Sequence, residues 1–262
     1  MIRSTSNSHV RTIRSLRDDR SLRRSERMFV LEGVRLVADL LASGASPVFV
    51  LYDPEQLATT NAGIVLMDAL TQSTGAVYAA SAEVIKAASD TTSPQGVVAV
   101  AHWPSLHVAL IPRLVVVCDH IQDPGNLGTI IRSSDAVGVD AIYCSVGSVD
   151  AYAPKAVRAS MGSLMRVPIR QDVAWDVLAS TLAPYRIYAA DGGGQSVAYT
   201  QIDWQVPSVL IVGNEAHGLS APARQLAQQT IHIPMRAGIE SLNAAMAASI
   251  ILFEAQRQQQ AK

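Results

Sequence analysis

From Leu114 onward the chain repeats one pattern: a continuous apolar run of strand length, a polar break, then a stretch with helical spacing. Strands are predicted over 114–118, 139–144, 166–169, 186–190, 208–212 and 230–233. Helices are predicted over 126–137, 154–161, 173–182, 221–228 and 242–257. Strands that are apolar throughout, rather than alternating, must be covered on both faces. That selects an α/β fold with a mostly parallel sheet between layers of helix.

The first hundred residues carry a smaller version of the same alternation. A basic helical stretch over 8–27 is followed by strands near 29–31, 48–51, 76–79 and 97–101, with helices over 34–41 and 62–70. The segment 103–112 has two prolines and few charges, as expected of a linker. The expected organisation is a basic arm (1–27), a small α/β domain (28–102), the linker, and a larger domain (113–262).

With 49% hydrophobic and 16% charged residues the chain can bury a core, which excludes wholesale disorder. Its longest apolar runs are strand-length, so no membrane span is expected. The arginine-studded start has no apolar stretch behind it and does not read as a secretory signal. Two cysteines, each ending an apolar run, fit a reduced, cytoplasmic protein. The net charge of −1 hides an uneven distribution. Residues 1–35 hold nine Arg against four acids, 36–112 one Lys against six acids, and 113–262 eleven basic against twelve acidic residues. An arginine-rich arm on a neutral body is a footprint of phosphate contact, with Arg11, Arg14, Arg17, Arg23 and Arg24 as candidates. An ordinary solvated amphipathic helix has the same composition, and charge alone does not choose.

Ligands of parallel α/β sheets collect beyond the carboxyl ends of strands, and three such ends carry unusual polar residues. After the strand at 114–118, Asp123–Pro124–Gly125 makes a turn and Asn126 falls where an N-cap belongs. At about 100° per residue, Leu127, Ile130, Ile131, Ser134 and Val137 share one stripe, and Arg132 points away from it. After 208–212, Gly213 permits close approach of a ligand or neighbouring backbone, and Glu215 and His217 lie in a loop closed by Gly218. After 230–233, a loop leads through Ser241, Leu242 and Asn243 into an alanine-rich helix that can pack closely. The six histidines show no ligand spacing and the cysteines have no metal-site partners, so no metal is expected. Gly192–Gly193–Gly194 lacks the context of a dinucleotide fingerprint.

In order, the three segments contain N-x5-R, G-N-E-x-x-G-L-S and I-P-M-x(5)-S-L-N-A-A-x-A. Together they resemble the three motifs of the SpoU (TrmH-type) branch of the SPOUT RNA methyltransferases. The stretches Phe29–Val30–Leu31–Glu32–Gly33, Arg35–Leu36–Val37 and Thr92–Ser93–Pro94–Gln95–Gly96–Val97 resemble that family's RNA substrate-binding domain, which has a ribosomal-protein-like α/β fold.

The resemblance implies methyl transfer from S-adenosylmethionine to a ribose 2′-hydroxyl of RNA, most often ribosomal RNA. It also implies a deep trefoil knot, a rare exception to unknotted topology, and a homodimer formed through the catalytic domain. By position, Asn126, Arg132, Glu215, Ser241 and Asn243 fall on the family's catalytic residues. Gly213, Ile233 and Leu242, with Val212 and Met235 beside them, fall on its cofactor-binding loops. An arginine is a poor base above a pKa of ~12, so Arg132 is read as a clamp on phosphate and a stabiliser of the developing alkoxide. The rivals are a transfer-RNA methyltransferase, a knotted RNA-binding module without catalysis, and a nucleotide-cofactor oxidoreductase. The last lacks the glycine fingerprint.

Overall fold

The computed structural model describes residues 1–193, 195–214, 216–236 and 241–260. The chain forms two compact units, one of residues 1–104 with 152–166, the other of 105–151 with 167–262.

The sheet of the first unit contains β1 (Met28–Glu32), β2 (Phe49–Tyr52), β3 (Ala76–Ala79) and β4 (Val97–His102), in the order β1-β4-β2-β3. β4 runs antiparallel to both neighbours and β2 parallel to β3, so this sheet is mixed. The basic stretch is two helices rather than one, α1 (Ser8–Asp18) and α2 (Arg20–Glu26). Asp19 breaks them apart with an extended backbone and caps α2 by accepting from Ser21 N and Leu22 N. The stretch is not a detached arm. Val10, Ile13 and Leu16 are fully buried with Phe49, Leu51, Val98 and Val100, worth about 1.5–3 kcal/mol each. Helices α3 (Val34–Ala42), α4 (Pro54–Leu57), α5 (Asn61–Thr71) and α6 (Ala82–Ala88) complete this part; α4 and α6 are too short to show a periodicity in sequence.

The second unit carries seven strands in the order β7-β6-β5-β10-β8-β11-β9. They are β5 (Leu114–Cys118), β6 (Ala141–Ser145), β7 (Ile169–Val173), β8 (Arg186–Ala190), β9 (Val197–Ala198), β10 (Ser208–Val212) and β11 (Gln229–His232). Each neighbouring pair is parallel. β5 and β10, the central strands, are buried at every position, as their unbroken apolar runs require. β7 lies three residues beyond its expected place. It is an edge strand with one buried residue, so it has no apolar run to announce it. The unit's helices are α7 (Pro124–Val137), α9 (Trp175–Leu182), α10 (Ala221–Leu226) and α11 (Ala244–Gln260); α8 (Pro154–Ser160) falls between α7 and α9 in sequence.

One segment departs from the expected division: 152–166, including α8, belongs to the first unit although the surrounding sequence belongs to the second. Aromatic contacts account for this. Tyr152 stacks on Trp103 at 4.2 Å and meets Phe29 at 5.2 Å. Arg158 pairs with Asp90 at 2.8 Å, and Ala156 and Val157 are buried. The apolar residues of this run show nothing in sequence of which sheet they pack against.

Candidate active site

The site is built where β5, β10, β8 and β11 end. Beyond β5, Asp123 caps α7 by accepting from Asn126 N at 2.9 Å, with Pro124 at the first helical position. Asn126 is therefore not the cap, as its position had suggested; it sits inside the first turn. Leu127, Ile130, Ile131, Ser134 and Val137 are buried, and Arg132 lies on the exposed face of α7.

Beyond β10, Gly213 opens a tight loop. A Cβ there would stand 2.7 Å from the carbonyl carbon and oxygen of Gly218. Its glycine is therefore demanded by neighbouring backbone rather than by a ligand. Asn214 and Gly218 exchange backbone hydrogen bonds of 3.0 and 2.8 Å. The Asn214 side chain accepts from Ala216 N and His217 N and donates to the His120 carbonyl at 2.8 Å.

Beneath this loop lies Asp119, fully buried. One carboxylate oxygen accepts from Ser220 N at 2.6 Å; the other accepts from His120 Nδ1 at 2.7 Å and from Ser145 Oγ at 3.4 Å. One side chain thus joins the segments that follow β5, β6 and β10. His120 itself has φ 52, held by its N–H to Ser145 Oγ and its ring near Gly147.

Beyond β11, Ile233, Met235, Ser241 and Leu242 line a cleft of about 140 Å³ together with Asp191 and Ile251. Asn243 caps α11, accepting from Ala245 N at 3.0 Å and Met246 N at 3.2 Å, so the helix begins two residues later than its periodicity suggested. The same side chain donates to Asn126 Oδ1 at 2.9 Å. Buried Ala244, Ala245 and Ala248 let α11 pack on α7, where Ser133 and Ser249 share a 2.6 Å hydrogen bond.

The structure therefore gathers Ile233, Met235, Ser241 and Leu242 at one cleft and joins Asn126 to Asn243. Val212 and Gly213 do not line that cleft; Val212 is buried in the sheet, paired with Cys118 and Ala190. Glu215 lies outside the described residues. Asp119 and Asn214 were given no role by sequence reasoning, although both belong to segments it singled out. A polar residue directly after a fully apolar strand was the available signal.

The arginines of the first unit divide by what they bind. Arg23 is buried and donates to the Leu16 and Arg17 carbonyls at 2.6 and 2.8 Å, closing the C-terminus of α1. It is not available to RNA, contrary to expectation. Arg14 donates to Ala87 O, and Arg17 to Ser89 O and to Asp18, whose carboxyl it holds below its ordinary range. Arg11 and Arg24 are exposed. Among the described residues no cluster of three or more His, Cys, Asp or Glu is placed to hold a metal, and no helix is long and apolar enough to cross a membrane.

A family model described as the SpoU rRNA Methylase family matches residues 113–253. The chain belongs to this family. A second model, the MRM3-like substrate binding domain, matches residues 7–99, so the SpoU domain here follows a recognisable partner domain. The mitochondrial rRNA methyltransferase 3A of Danio rerio is 32% identical, with 94% of this chain and 67% of that protein aligned. The 23S rRNA (uridine(2479)-2′-O)-methyltransferase of Streptomyces viridochromogenes is 40% identical over 63% of this chain and 61% of its own length. Among solved structures, the SpoU methyltransferase AviRb of Streptomyces viridochromogenes in complex with the cofactor AdoMet superposes with a TM-score of 0.87. It is 28% identical, covering 97% of this chain and 99% of that one. The family resemblance read from the sequence is thus borne out by family model, relatives and fold.

Proposed function

We propose that this SpoU protein transfers the methyl group of S-adenosylmethionine to a ribose 2′-hydroxyl of ribosomal RNA. The observation that carries the reading is the Asn126–Asn243 hydrogen bond, which brings the first and third motifs together where α11 leaves the cleft. The named relatives act on ribosomal RNA, one of them at a 2′-oxygen, and this supports the choice of acceptor.

The cleft suits an adenosyl group. Ile231, Ile233, Leu242 and Ile251 offer an apolar surface for a purine, and Asp191 and Ser241 offer polar groups at its edge. When bound, the cofactor supplies an electrophilic sulfonium methyl. The protein's own task is to bring a hydroxyl into line with that methyl. Asn126 and Asn243, fixed by one another, would orient the ribose, and Ser241 would shape the acceptor side. Arg132 stands with its guanidinium on the exposed face of α7. Its planar donors suit the RNA phosphate and the charge that develops on the attacking oxygen.

The proposal extends to the family's trefoil knot in the C-terminal part, to a ribosomal-protein-like first domain, and to a cytoplasmic site of action. The strand order supports the knot, since β10 lies between β5 and β8 while β11 lies beyond β8. A crystallographic trace of residues 208–260 checks it. Two free, buried thiols suit a reducing compartment. We also propose a homodimer through the SpoU domain. Met246, Ile250 and Phe253 recur at one face of α11 and are exposed, a stripe that a second copy would cover. Phe253→Glu should then sediment as a monomer, and an unchanged sedimentation coefficient would remove this face from the interface.

The activity is tested by incubating the protein with tritiated S-adenosylmethionine and ribosomal RNA, then mapping alkali-resistant linkages. Label in 2′-O-methyl nucleotides is expected. Cofactor binding without transfer would instead indicate a binding module.

A further inference from the structure

Asp191 directly follows β8 and leads into the glycine run that the proposed chemistry leaves without a part. Its backbone N–H donates to Ile231 O at 2.9 Å, so the residue is held at the last rung of the sheet. Its side chain lines the cleft, and among the described lining residues it is the one carboxylate. The Arg224 guanidinium on α10 donates to Oδ2, and Gly193 N donates to Oδ1 at 3.3 Å. Those two bonds fix the carboxylate, and among the described residues each oxygen keeps one lone pair for a further donor. A Cβ at the adjoining Gly192 would meet nothing within 4 Å, so space beside the acid is open.

Resting on the methyltransferase reading, we propose that Asp191 accepts hydrogen bonds from the ribose 2′- and 3′-hydroxyls of the adenosyl cofactor, with Arg224 as its positioning residue. The cofactor offers two kinds of donor to a carboxylate, the ribose diol and the amino-acid ammonium. The charge of Asp191 is already met by Arg224, and a second cation brought to the same carboxylate would also face that guanidinium. Neutral hydroxyls meet no such repulsion. The ribose that carries the diol is also joined directly to the purine that the apolar wall would hold. An acid just past a strand end that receives a ribose is a recurrent solution in open α/β sheets.

The test is calorimetric and independent of methyl transfer. 5′-Methylthioadenosine, which lacks the amino-acid part, and its 2′,3′-dideoxy counterpart are titrated into the unmodified protein and into Asp191→Ala. Removing the diol should weaken binding to the unmodified protein by about ten-fold or more, as for hydrogen bonds to a charged group. In Asp191→Ala the two ligands should bind alike. Equal affinities in the unmodified protein would overturn the proposal, as would an undiminished difference in the variant. Should the alanine variant fail to fold, Asp191→Asn keeps the volume and one acceptor oxygen and should lose part of the discrimination; full discrimination there would overturn the proposal. If the unmodified protein fails to bind S-adenosylmethionine at all, the methyltransferase reading falls and this one with it.

Discussion

Asn243 holds Asn126 across 117 residues of chain, its Nδ2 donating to Asn126 Oδ1 at 2.9 Å while its own Oδ1 caps α11. One amide thus does two jobs, ending the third motif as a helix cap and reaching the first motif as a donor. Neither an aspartate nor a serine could do both. Aspartate caps but cannot donate through nitrogen, and serine is too short to do both.

Stability and activity should separate at the start of α7. Asp123, not Asn126, satisfies the helix N-terminus. Asp123→Ala should therefore cost about 1 kcal/mol of unfolding free energy. Asn126→Ala should cost less while reducing methyl transfer more. Urea titrations and single-turnover transfer on both variants decide it; a larger stability loss at Asn126 would return the cap to that residue.

Arg132→Lys keeps the charge but loses the planar fork. As a clamp on phosphate and developing alkoxide, Arg132 should be hard to replace, with transfer falling on the order of 10²-fold. Cofactor affinity should hold, because Arg132 is not among the residues lining the cleft. Near-full turnover with unchanged RNA affinity in the lysine variant would end the clamp reading.

RNA contact in the first unit should follow exposure rather than arginine count. Arg11→Ala should weaken RNA binding and reduce its salt slope by about one. Arg23→Met should leave the slope alone and lower stability by about 1–3 kcal/mol, since the Leu16 and Arg17 carbonyls lose their donor. Deleting residues 1–27 would remove the Val10, Ile13 and Leu16 side chains from the core, so point substitutions are the clean probe. A salt slope that falls equally for Arg11 and Arg23 would contradict this division.

These arginines mark the limit of what was legible in the sequence. The buried central strands declared themselves because β5 and β10 must be apolar at every position, and the SpoU motifs declared the site because they follow those strands. Arg23 looked like its neighbours because sequence shows composition, while its burial depends on the break at Asp19 that turns α2 back toward the end of α1. β7 and the 152–166 segment were displaced for a related reason. An edge strand and a loop held by Trp103 and Tyr152 gain their stability from tertiary partners, and local periodicity carries no record of those partners.

The two thiols lie side by side, Cys118 of β5 in register with Cys144 of β6. Hydrogen bonding with Cys144, then burial and the nearby Asp119 carboxylate, push the Cys118 thiol well above the ordinary thiol range. The unfolded chain therefore gives up this proton first. The stabilisation is fully present below an unfolded pKa of about 8.5 and is lost as pH rises from there toward the raised native value. Between pH 7 and 9.5 the urea midpoint should fall, and fall less in Cys118→Ala. An aromatic disulfide reagent should leave both cysteines untouched at neutral pH until the protein is unfolded; rapid native labelling would contradict the burial.

Asp119 should be the residue whose loss most loosens the loop that follows β10. Its fully buried carboxylate takes hydrogen bonds from Ser220 N, His120 Nδ1 and Ser145 Oγ. Alanine would strand the Ser220 N–H and the Ser145 hydroxyl, at about 1–3 kcal/mol for a buried donor left without a partner, while the half-exposed His120 ring would turn to water. Asparagine can still accept from Ser220 N, while its amide nitrogen would face His120 Nδ1, which can respond by changing tautomer. Asp119→Asn should therefore stay folded, with a lowered melting temperature, and Asp119→Ala should be much less stable. In the asparagine variant the Asn214–His120 bond that seats the 213–220 loop is weakened at one end. The backbone amides of Asn214 and Gly218, which bond one another across the loop, should then exchange hydrogen faster, with those of β5 and β10 unchanged. Were both sets to speed up together, Asp119 would be a support of the whole sheet rather than of the loop above it. Were neither to move, the loop would be seated by Asn214 alone.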